Sequence, residues 1–280
     1  MTSVHTSSGP VVAVVVAAGS GVRLGEGGPK ALRTIGGRAL VAHSVEALAA
    51  GGVDRIVVVG RARLADDFTR ALADAPLPWT LVEGGEERQD SVANGLAEAE
   101  RVAPAARHVL VHDAARPFVP ATVVAAVLAA LRDGATAVIP AVPVIDTIRV
   151  ADPVPGEATV VDRSRLRAVQ TPQGFDLATL VRAHHHVRSV GLAVTDDAMA
   201  CEAIGERVVL VDGSRDSLKV TEPFDLLVAE AVWRGRRPAA DPPAAHPSTD
   251  GTSTDDTSAI HPSDGGASTD GTQMMGRTSR

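Results

Sequence analysis

The chain has 280 residues, of which 45% are hydrophobic, so it is long enough to bury the core of one large α/β domain. Its net charge of −7 and its aromatic content of 2% disfavour a nucleic-acid partner, a membrane surface and an aromatic platform for stacking bases. The single cysteine, Cys201, allows no internal disulfide, and we expect a cytoplasmic protein.

Short apolar runs alternate with helical patterns from Val11 to about Trp233. This alternation is typical of βαβ units and predicts an α/β fold with a mostly parallel, twisted sheet flanked by helices. Strands are predicted at residues 11–18, 55–60, 79–83, 108–113, 136–142 and 207–213. Helices are predicted at residues 39–50, 64–73, 91–99, 120–132, 176–187, 196–204 and 222–233.

Three further segments define the predicted domain organisation. Residues 1–10 are expected to be a flexible N-terminus ahead of one domain that spans residues 11–236. Within it, residues 143–170 predict a projecting β-hairpin arm, which has too little core of its own and should lie on something, such as a second subunit. Residues 237–280 are rich in Pro, Ser, Thr, Asp and Gly, and we expect a disordered tail.

The first predicted strand leads into a glycine-rich loop with two cationic side chains. Gly19 and Gly21 allow backbone N–H groups to approach an anion, and Arg23 and Lys30 add positive charge. The loop is not a Walker A motif, because Lys30 is followed by alanine, and its glycine spacing does not match the dinucleotide fingerprint. A phosphate-binding loop is favoured over an ordinary βα turn with two solvated cations.

Three other motifs carry candidate polar groups. Asp113 ends a predicted buried strand, where a carboxylate could hold Mg²⁺ against a triphosphate; alternatively, it caps the next helix with Arg116 as its ion-pair partner. The turn from Gly84 to Ser91 suits a base or ribose, although Ser91 is also an ordinary helix-start residue. Lys219 precedes a predicted helix and could orient a phosphate nucleophile, or it is a surface lysine.

These motifs occur together in an order that resembles a known family. The segments AAGSGVRL, PK, GGEERQDSV, VHDAARPF, DT, VDR, QTPQGF, TDDA and LKVT resemble the 2-C-methyl-D-erythritol 4-phosphate cytidylyltransferase family of the non-mevalonate isoprenoid pathway. The resemblance covers about residues 11–233. It implies a Rossmann-like nucleotidyltransferase fold, CTP and a polyol phosphate as substrates, Mg²⁺ or another divalent cation, and a homodimer formed through the arm.

The resemblance also implies a role for individual residues. Arg23 and Lys30 match residues that stabilise charge on the CTP α-phosphate, Asp113 matches the metal-binding aspartate, and Arg163 and Lys219 match residues that position the substrate phosphate. The matched nucleotide contacts are Ala17, Ala18, Gly19, Gly85, Glu86 and Ser91. The matched polyol-phosphate contacts are Arg116, Thr147, Thr171 and Thr195. The family's crossed arm would bring Thr147 and Arg163 to the partner's site.

The chain departs from the family pattern at few positions. Ala31 and Leu32 replace a polar and an aromatic residue, and Glu86 stands where aspartate is common. Two other functions stay open at this point: a ribitol-5-phosphate cytidylyltransferase, and a non-catalytic nucleotide-binding module. The run of three histidines from His184 does not predict a metal site, because consecutive helical residues point in different directions.

Overall fold

The computed structural model describes residues 9–25, 28–151, 153 and 156–236. The predicted tail and all but the last two residues of the predicted flexible N-terminus lie outside the described residues. The strands are β1 (Val11–Val16), β2 (Thr34–Ile35), β3 (Arg38–Ala39), β4 (Arg55–Gly60), β5 (Trp79–Glu83), β6 (His108–Asp113), β7 (Ala137–Pro143), β8 (Ile148–Ala151), β9 (Ala158–Val161), β10 (Arg167–Val169), β11 (Gln173–Asp176) and β12 (Val208–Asp212). The α-helices are α1 (Leu40–Ala50), α2 (Ala65–Ala71), α3 (Arg88–Val102), α4 (Ala121–Arg132), α5 (Leu177–Ser189), α6 (Asp197–Ala203) and α7 (Pro223–Arg236).

The central sheet has eight strands and is mostly parallel, which confirms the predicted fold class. Along the sheet β5, β4, β1 and β6 pair in parallel, β11 pairs antiparallel with both β6 and β7, and β12 pairs in parallel with β7. The described part of the chain contains no helix that is long and apolar enough to cross a membrane.

The valine-rich β1 lies between two hydrophobic layers. Val11, Ala13 and Val15 pack into one cluster, with residues of α1 and α4, whereas Val12 and Val14 pack into the other, with residues of α3, α5 and α6. Because side chains alternate between the two faces of a strand, an unbroken apolar run can fill both layers. This arrangement places the end of β1, and the glycine-rich loop after it, at the carboxyl-terminal side of the central sheet.

Two strands of the central sheet, β10 and β11, are not predicted by the sequence pattern. Both strands pair with β7, and this pairing is interrupted between Val169 and Gly174. The interruption contains Thr171, whose peptide bond to Pro172 is cis. The strand signal is weak here because β11 contains Gly174 and the buried polar side chain of Gln173, which lies at 1% exposure. The interruption directs Thr171 towards the end of β6.

The predicted arm contains the antiparallel hairpin of β8 and β9. Pro143 still belongs to β7, and the chain rejoins the sheet at β10, so the projecting part lies between these two strands. Val150 and Val160 on the hairpin are 57% and 53% exposed. The hairpin therefore presents apolar side chains that the described residues do not cover.

Candidate active site

The carboxyl ends of β1, β5 and β6 surround a cavity of about 330 Å³. In open α/β sheets, ligands bind at this edge. The cavity is lined by side chains and backbone from the glycine-rich loop, the turn after β5, the end of β6 and the segment before α7; its polar lining residues include Lys30, Glu86, Arg88, Ser91, Asp113 and Lys219. A second cavity of about 820 Å³ lies along the same glycine-rich loop and shares Ala17, Ala18, Gly19, Ser20 and Arg61 with the first.

The glycine-rich loop brings Lys30 close to the cavity. Gly21 has a φ of 71°, and a Cβ atom at this position would lie 2.8 Å from the Cβ of Lys30. Glycine is therefore needed at Gly21 both for its backbone conformation and for the close approach of Lys30. At Gly19, in contrast, a Cβ atom would meet nothing within 4 Å. The space beside Gly19 is open, as required for a ligand that contacts the backbone.

Lys30 lies in a positively charged environment. Burial lowers its pKa, and the charges of Lys219 and Arg23 lower it further, whereas the charge of Asp113 acts in the opposite direction. Arg23 itself is exposed on the short helix Val22–Leu24. A bound anion reduces the electrostatic repulsion between cations that surround a cavity. This end of the cavity is therefore suited to a polyphosphate.

Asp113 lies at the centre of the charged groups and is 8% exposed. Its Oδ2 atom is 2.7 Å from Nζ of Lys219, and its Oδ1 atom is 3.5 Å from Nε of Arg88. Burial alone would raise the pKa of Asp113, but the charges of Arg88 and Lys219 lower it well below its usual value. Asp113 is therefore an ionised carboxylate, and Lys219 is not an ordinary surface lysine.

A chain of hydrogen bonds fixes the backbone at Asp113. Nε2 of His112 lies 3.1 Å from the carbonyl oxygen of Arg116, which can only accept, so Nε2 carries the proton. Burial lowers the pKa of His112 to about 4, so the ring is neutral and its Nδ1 accepts from the Thr171 hydroxyl. The Thr171 oxygen accepts in turn from the N–H of Asp113. Thr171 is 5% exposed and contacts Asp113 from within the protein.

Arg116 connects two segments beside the cavity. Its Nη1 donates to the carbonyl of Ser217 at 2.7 Å, and its Nη2 donates to the carbonyl of Val169 at 3.3 Å. The N–H of Val220 donates to the carbonyl of Ala115, which ties the Lys219 segment to the same loop. The alternative in which Arg116 is the ion-pair partner of Asp113 is wrong, because Lys219 and Arg88 take that place.

The turn after β5 differs from the sequence prediction at the helix start. Helix α3 begins at Arg88, three residues before Ser91, and the flanking residue Glu87 makes no side-chain cap. The Ser91 hydroxyl instead accepts from the N–H of Gly85 at 3.1 Å. A Cβ atom at Gly84 would lie 2.4 Å from the Cβ of Ala18, so glycine allows this turn to approach the end of β1. Glu86 is exposed at the cavity rim.

Comparisons with known proteins identify the family of this chain. Residues 11–235 match the family described as IspD, 2-C-methyl-D-erythritol 4-phosphate cytidylyltransferase. The chain belongs to this family. It is 49% identical to the Streptomyces avermitilis member, over 82% of this chain and 94% of that protein, and 50% identical to the Streptomyces coelicolor member, over 80% and 85%.

Solved structures of cytidylyltransferases have the same fold. The Thermus thermophilus enzyme is 38% identical, with a TM-score of 0.65 over 80% of this chain and 98% of that one. The Anaerococcus prevotii synthase is 26% identical, with a TM-score of 0.70 over 81% and 99%. The family comparison favours methylerythritol phosphate over ribitol phosphate as the substrate, and an enzyme over a non-catalytic module.

Six of the residues matched to the cytidylyltransferase family do not line the cavity: Arg23, Arg116, Thr147, Arg163, Thr171 and Thr195. Arg163 and Thr147 are exposed on the arm, where Arg163 donates a hydrogen bond to the carbonyl of Ile145. Thr195 is exposed beside α6, with its hydroxyl 3.9 Å from Sδ of Met199. Among the described residues that line the cavity, none belongs to the arm.

The site of this cytidylyltransferase also contains a residue that the sequence pattern does not single out. Arg88 lies between two carboxylates, with Nη1 2.9 Å from Oδ2 of Asp197 and Nε 3.5 Å from Oδ1 of Asp113. Both Arg88 and Asp197 fall within matched segments, GGEERQDSV and TDDA. Their pairing could not be inferred from spacing, since they are far apart in the chain and their contact depends on how α5 packs against both α3 and α6.

Proposed function

We propose that cytidylyl transfer takes place in the cavity at the carboxyl ends of β1, β5 and β6. The reaction of the family is transfer of a cytidylyl group from CTP to 2-C-methyl-D-erythritol 4-phosphate, with release of pyrophosphate. The observation that carries the proposal is the meeting of Lys30, Lys219 and Asp113 around one cavity beneath a glycine-rich loop. Cations of the loop bind the triphosphate, and Lys219 orients the attacking phosphate.

In this reaction an oxygen of the methylerythritol phosphate attacks the α-phosphorus of CTP. A new P–O bond forms there, and the bond from the α-phosphorus to the oxygen bridging to the β-phosphate breaks, so the electron pair leaves with pyrophosphate. The attacking phosphate oxygen is already anionic, and no strong base is required. Positioning and neutralisation of charge are the protein's main contributions, and we assign them to Arg23, Lys30 and Lys219.

Asp113 is the residue that fits a divalent cation. It is an ionised carboxylate on the cavity wall, and the described residues contain no cluster of three or more His, Cys, Asp or Glu placed to bind a metal by themselves. Mg²⁺ is commonly bound by one or two carboxylates together with substrate phosphates, which is the set of ligands available here. When bound, the cation would neutralise phosphate charge.

The nucleoside of CTP is proposed to lie against the turn after β5 and the end of β1. Ala17, Ala18 and Gly19 offer backbone there, and Gly85 is held by Ser91. Glu86 replaces the usual aspartate but still projects a carboxylate at the rim, within reach of a ribose. The close approach of Gly84 to Ala18 brings the turn after β5 against the end of β1, where the small pyrimidine ring of cytosine is proposed to lie.

We further propose a homodimer in which the arm of each subunit completes the site of its partner. Two observations support it: Val150 and Val160 are exposed on the hairpin, and Thr147 and Arg163 are exposed on the arm and do not line the cavity of their own chain. The cytoplasmic location stays a prediction. It is supported by Cys201, which is buried and free of disulfides.

Pyrophosphate release tests the assignment. The purified protein is incubated with Mg²⁺, CTP or GTP, and either 2-C-methyl-D-erythritol 4-phosphate or ribitol 5-phosphate. We expect release with CTP and methylerythritol phosphate, and a much lower kcat/KM with ribitol phosphate or GTP. The variant Asp113→Asn serves as the inactive control. A higher kcat/KM for ribitol phosphate would overturn the substrate assignment.

A further inference from the structure

A buried carboxylate outside the cavity lining is in contact with the active site through Arg88. Asp197 is 1% exposed and begins helix α6. Its Oδ1 atom lies 3.0 Å from Nε2 of His184 on α5, and its Oδ2 atom lies 2.9 Å from Nη1 of Arg88. Its N–H donates to the side chain of Gln173 at 3.3 Å. Asp197 is thus fixed from three sides by α5, β11 and α3.

Arg88 is shared unequally between its two carboxylates. The contact with Asp197 is 2.9 Å, whereas the contact with Asp113 is 3.5 Å. Both carboxylates are largely removed from water, so the attraction of a guanidinium to either of them is strong. If Asp197 lost its charge, Asp113 would be the remaining carboxylate in contact with Arg88, and the guanidinium would pair with it more closely.

Such pairing would matter because Arg88 and a divalent cation compete for the same carboxylate. Lys219 also contacts Asp113, but its amino group is on a flexible chain and is 43% exposed, so it is free to turn towards an arriving phosphate. The Arg88 side chain is less exposed, at 30%, and its guanidinium lies between the two carboxylates. Its position is therefore set by the carboxylate that attracts it more strongly.

We propose that Asp197, held in place by His184, is a positioning residue that draws Arg88 away from Asp113 and so keeps Asp113 available to the divalent cation that accompanies CTP. This inference rests on the proposed function of Asp113. This role accounts for the buried pair of His184 and Asp197, which contacts the cavity residue Arg88 without lining the cavity. Neither side chain needs to touch a substrate for its loss to affect metal binding.

The test measures binding of Mn²⁺ to the enzyme–CTP complex by electron paramagnetic resonance, without the polyol phosphate. In Asp197→Asn we expect Mn²⁺ to bind about tenfold more weakly, because Arg88 then competes for Asp113. CTP binding without metal should change much less. In the double variant Arg88→Met with Asp197→Asn, the competitor is gone, and Mn²⁺ affinity should return to the wild-type value. A purely structural role of Asp197 would give no such recovery.

A pair of His184 variants keeps the test decisive if Asp197→Asn does not fold. His184→Gln retains an N–H that can reach Asp197, and we expect near wild-type Mn²⁺ affinity; His184→Leu removes the donor and should weaken binding. The matched control is His43→Leu, which removes another buried histidine, whose Nε2 lies 2.9 Å from the carbonyl of Ile35 and which makes no contact with Asp197. It should lower stability without changing Mn²⁺ affinity.

The outcomes separate this inference from the proposed function. If Asp113→Asn binds Mn²⁺ as tightly as the wild type, the metal-binding role of Asp113 is wrong, and the inference fails with it. If Asp113→Asn weakens binding but folded Asp197→Asn does not, or if the double variant stays weak, only the role of Asp197 is overturned. Equal Mn²⁺ affinities in His184→Gln and His184→Leu would also overturn it.

Discussion

Lys30 illustrates how the position of a single side chain prepares the site for an anion. It is half-buried and lies near Lys219 and Arg23, and burial together with these charges lowers its pKa. A cation held in such surroundings gains more from a phosphate than a solvated lysine does, because less water must be displaced and the local dielectric is lower. The same lysine on an open surface would give little discrimination between CTP and other anions.

We therefore expect Lys30→Ala to lower kcat/KM by about 10²- to 10³-fold, the usual cost of removing one preorganised group that stabilises developing charge. The measurement is pyrophosphate release at saturating Mg²⁺. Arg70→Ala is the control, because Arg70 is exposed on α2 and pairs with Asp67. Comparable losses in the two variants would mean that Lys30 acts only through overall charge.

Substitution by alanine is expected to have different effects at two glycines of the site, on ligand binding at Gly19 and on stability at Gly84. Gly19→Ala adds a methyl group to open space, so we expect an unchanged free energy of unfolding and a KM for CTP raised about tenfold by crowding of the ligand. Gly84→Ala places a Cβ atom 2.4 Å from that of Ala18, and we expect a loss of about 1–3 kcal/mol in stability. Chemical denaturation and CTP titrations distinguish the two effects. Normal CTP binding by Gly19→Ala would remove Gly19 from the nucleotide site.

At the scale of elements, one half-buried arginine, Arg116, holds the segment before α7 in position. Arg116 donates to the carbonyls of Ser217 and Val169, and so joins the residues that carry Lys219 to β10. Its family match is a substrate contact, but these two hydrogen bonds already engage the guanidinium. The geometry favours a role in positioning Lys219, and this can be separated from direct binding.

For Arg116→Leu we expect a loss of about 2–4 kcal/mol in the free energy of unfolding, because charge-assisted hydrogen bonds are removed and two carbonyls lose a donor. We also expect kcat to fall together with a rise in KM for methylerythritol phosphate, since Lys219 is no longer held. The control is Arg182→Leu, whose ion pair with Glu206 lies on the outside of α5. A raised KM with unchanged kcat and stability would instead make Arg116 a substrate contact.

The parallel strands and their loops are predictable because their signals are local. The run of β1 is apolar throughout, and the loop after it combines glycines with cations, so both the strand and the anion site can be inferred from adjacent residues. Strands β10 and β11 cannot be inferred in this way, because they include polar residues and a glycine. Their pairing also depends on β7, which is separated from them in the chain by the arm. The same limit applies to Arg88, whose partner Asp197 reaches it only through packing of α6.

For the whole molecule, the composition of the tail predicts that it is dispensable. The match to the family ends at residue 235, and residues 248–280 have no periodic apolar face that could be buried. We expect a chain that lacks residues 248–280 to keep its kcat, its KM for both substrates and its melting temperature. Steady-state kinetics and thermal unfolding of the two chains check this. A clear fall in either would mean that the tail contributes to the folded enzyme.

The arm leads to a prediction about the assembly as a whole. Arg163 lies on the exposed arm, and no described arm residue lines the cavity of its own chain, so we expect Arg163 to act in the partner's site. Arg23→Ala disables the loop of one subunit, and Arg163→Ala disables the arm of the other. In a mixed dimer, crossed arms place both lesions in one site and leave the second site intact.

Co-refolding the two inactive variants should therefore restore up to half of the wild-type activity per mixed dimer, whereas each variant alone stays inactive. Mass spectrometry measures how much mixed dimer forms, and pyrophosphate release measures its activity. The control mixes Arg23→Ala with Lys30→Ala: because each loop serves its own site, every site of that mixed dimer carries one lesion, and no recovery is expected. If the Arg23→Ala and Arg163→Ala mixture contains mixed dimers but shows no activity above the separate variants, Arg163 acts within its own subunit and the crossed arrangement is wrong.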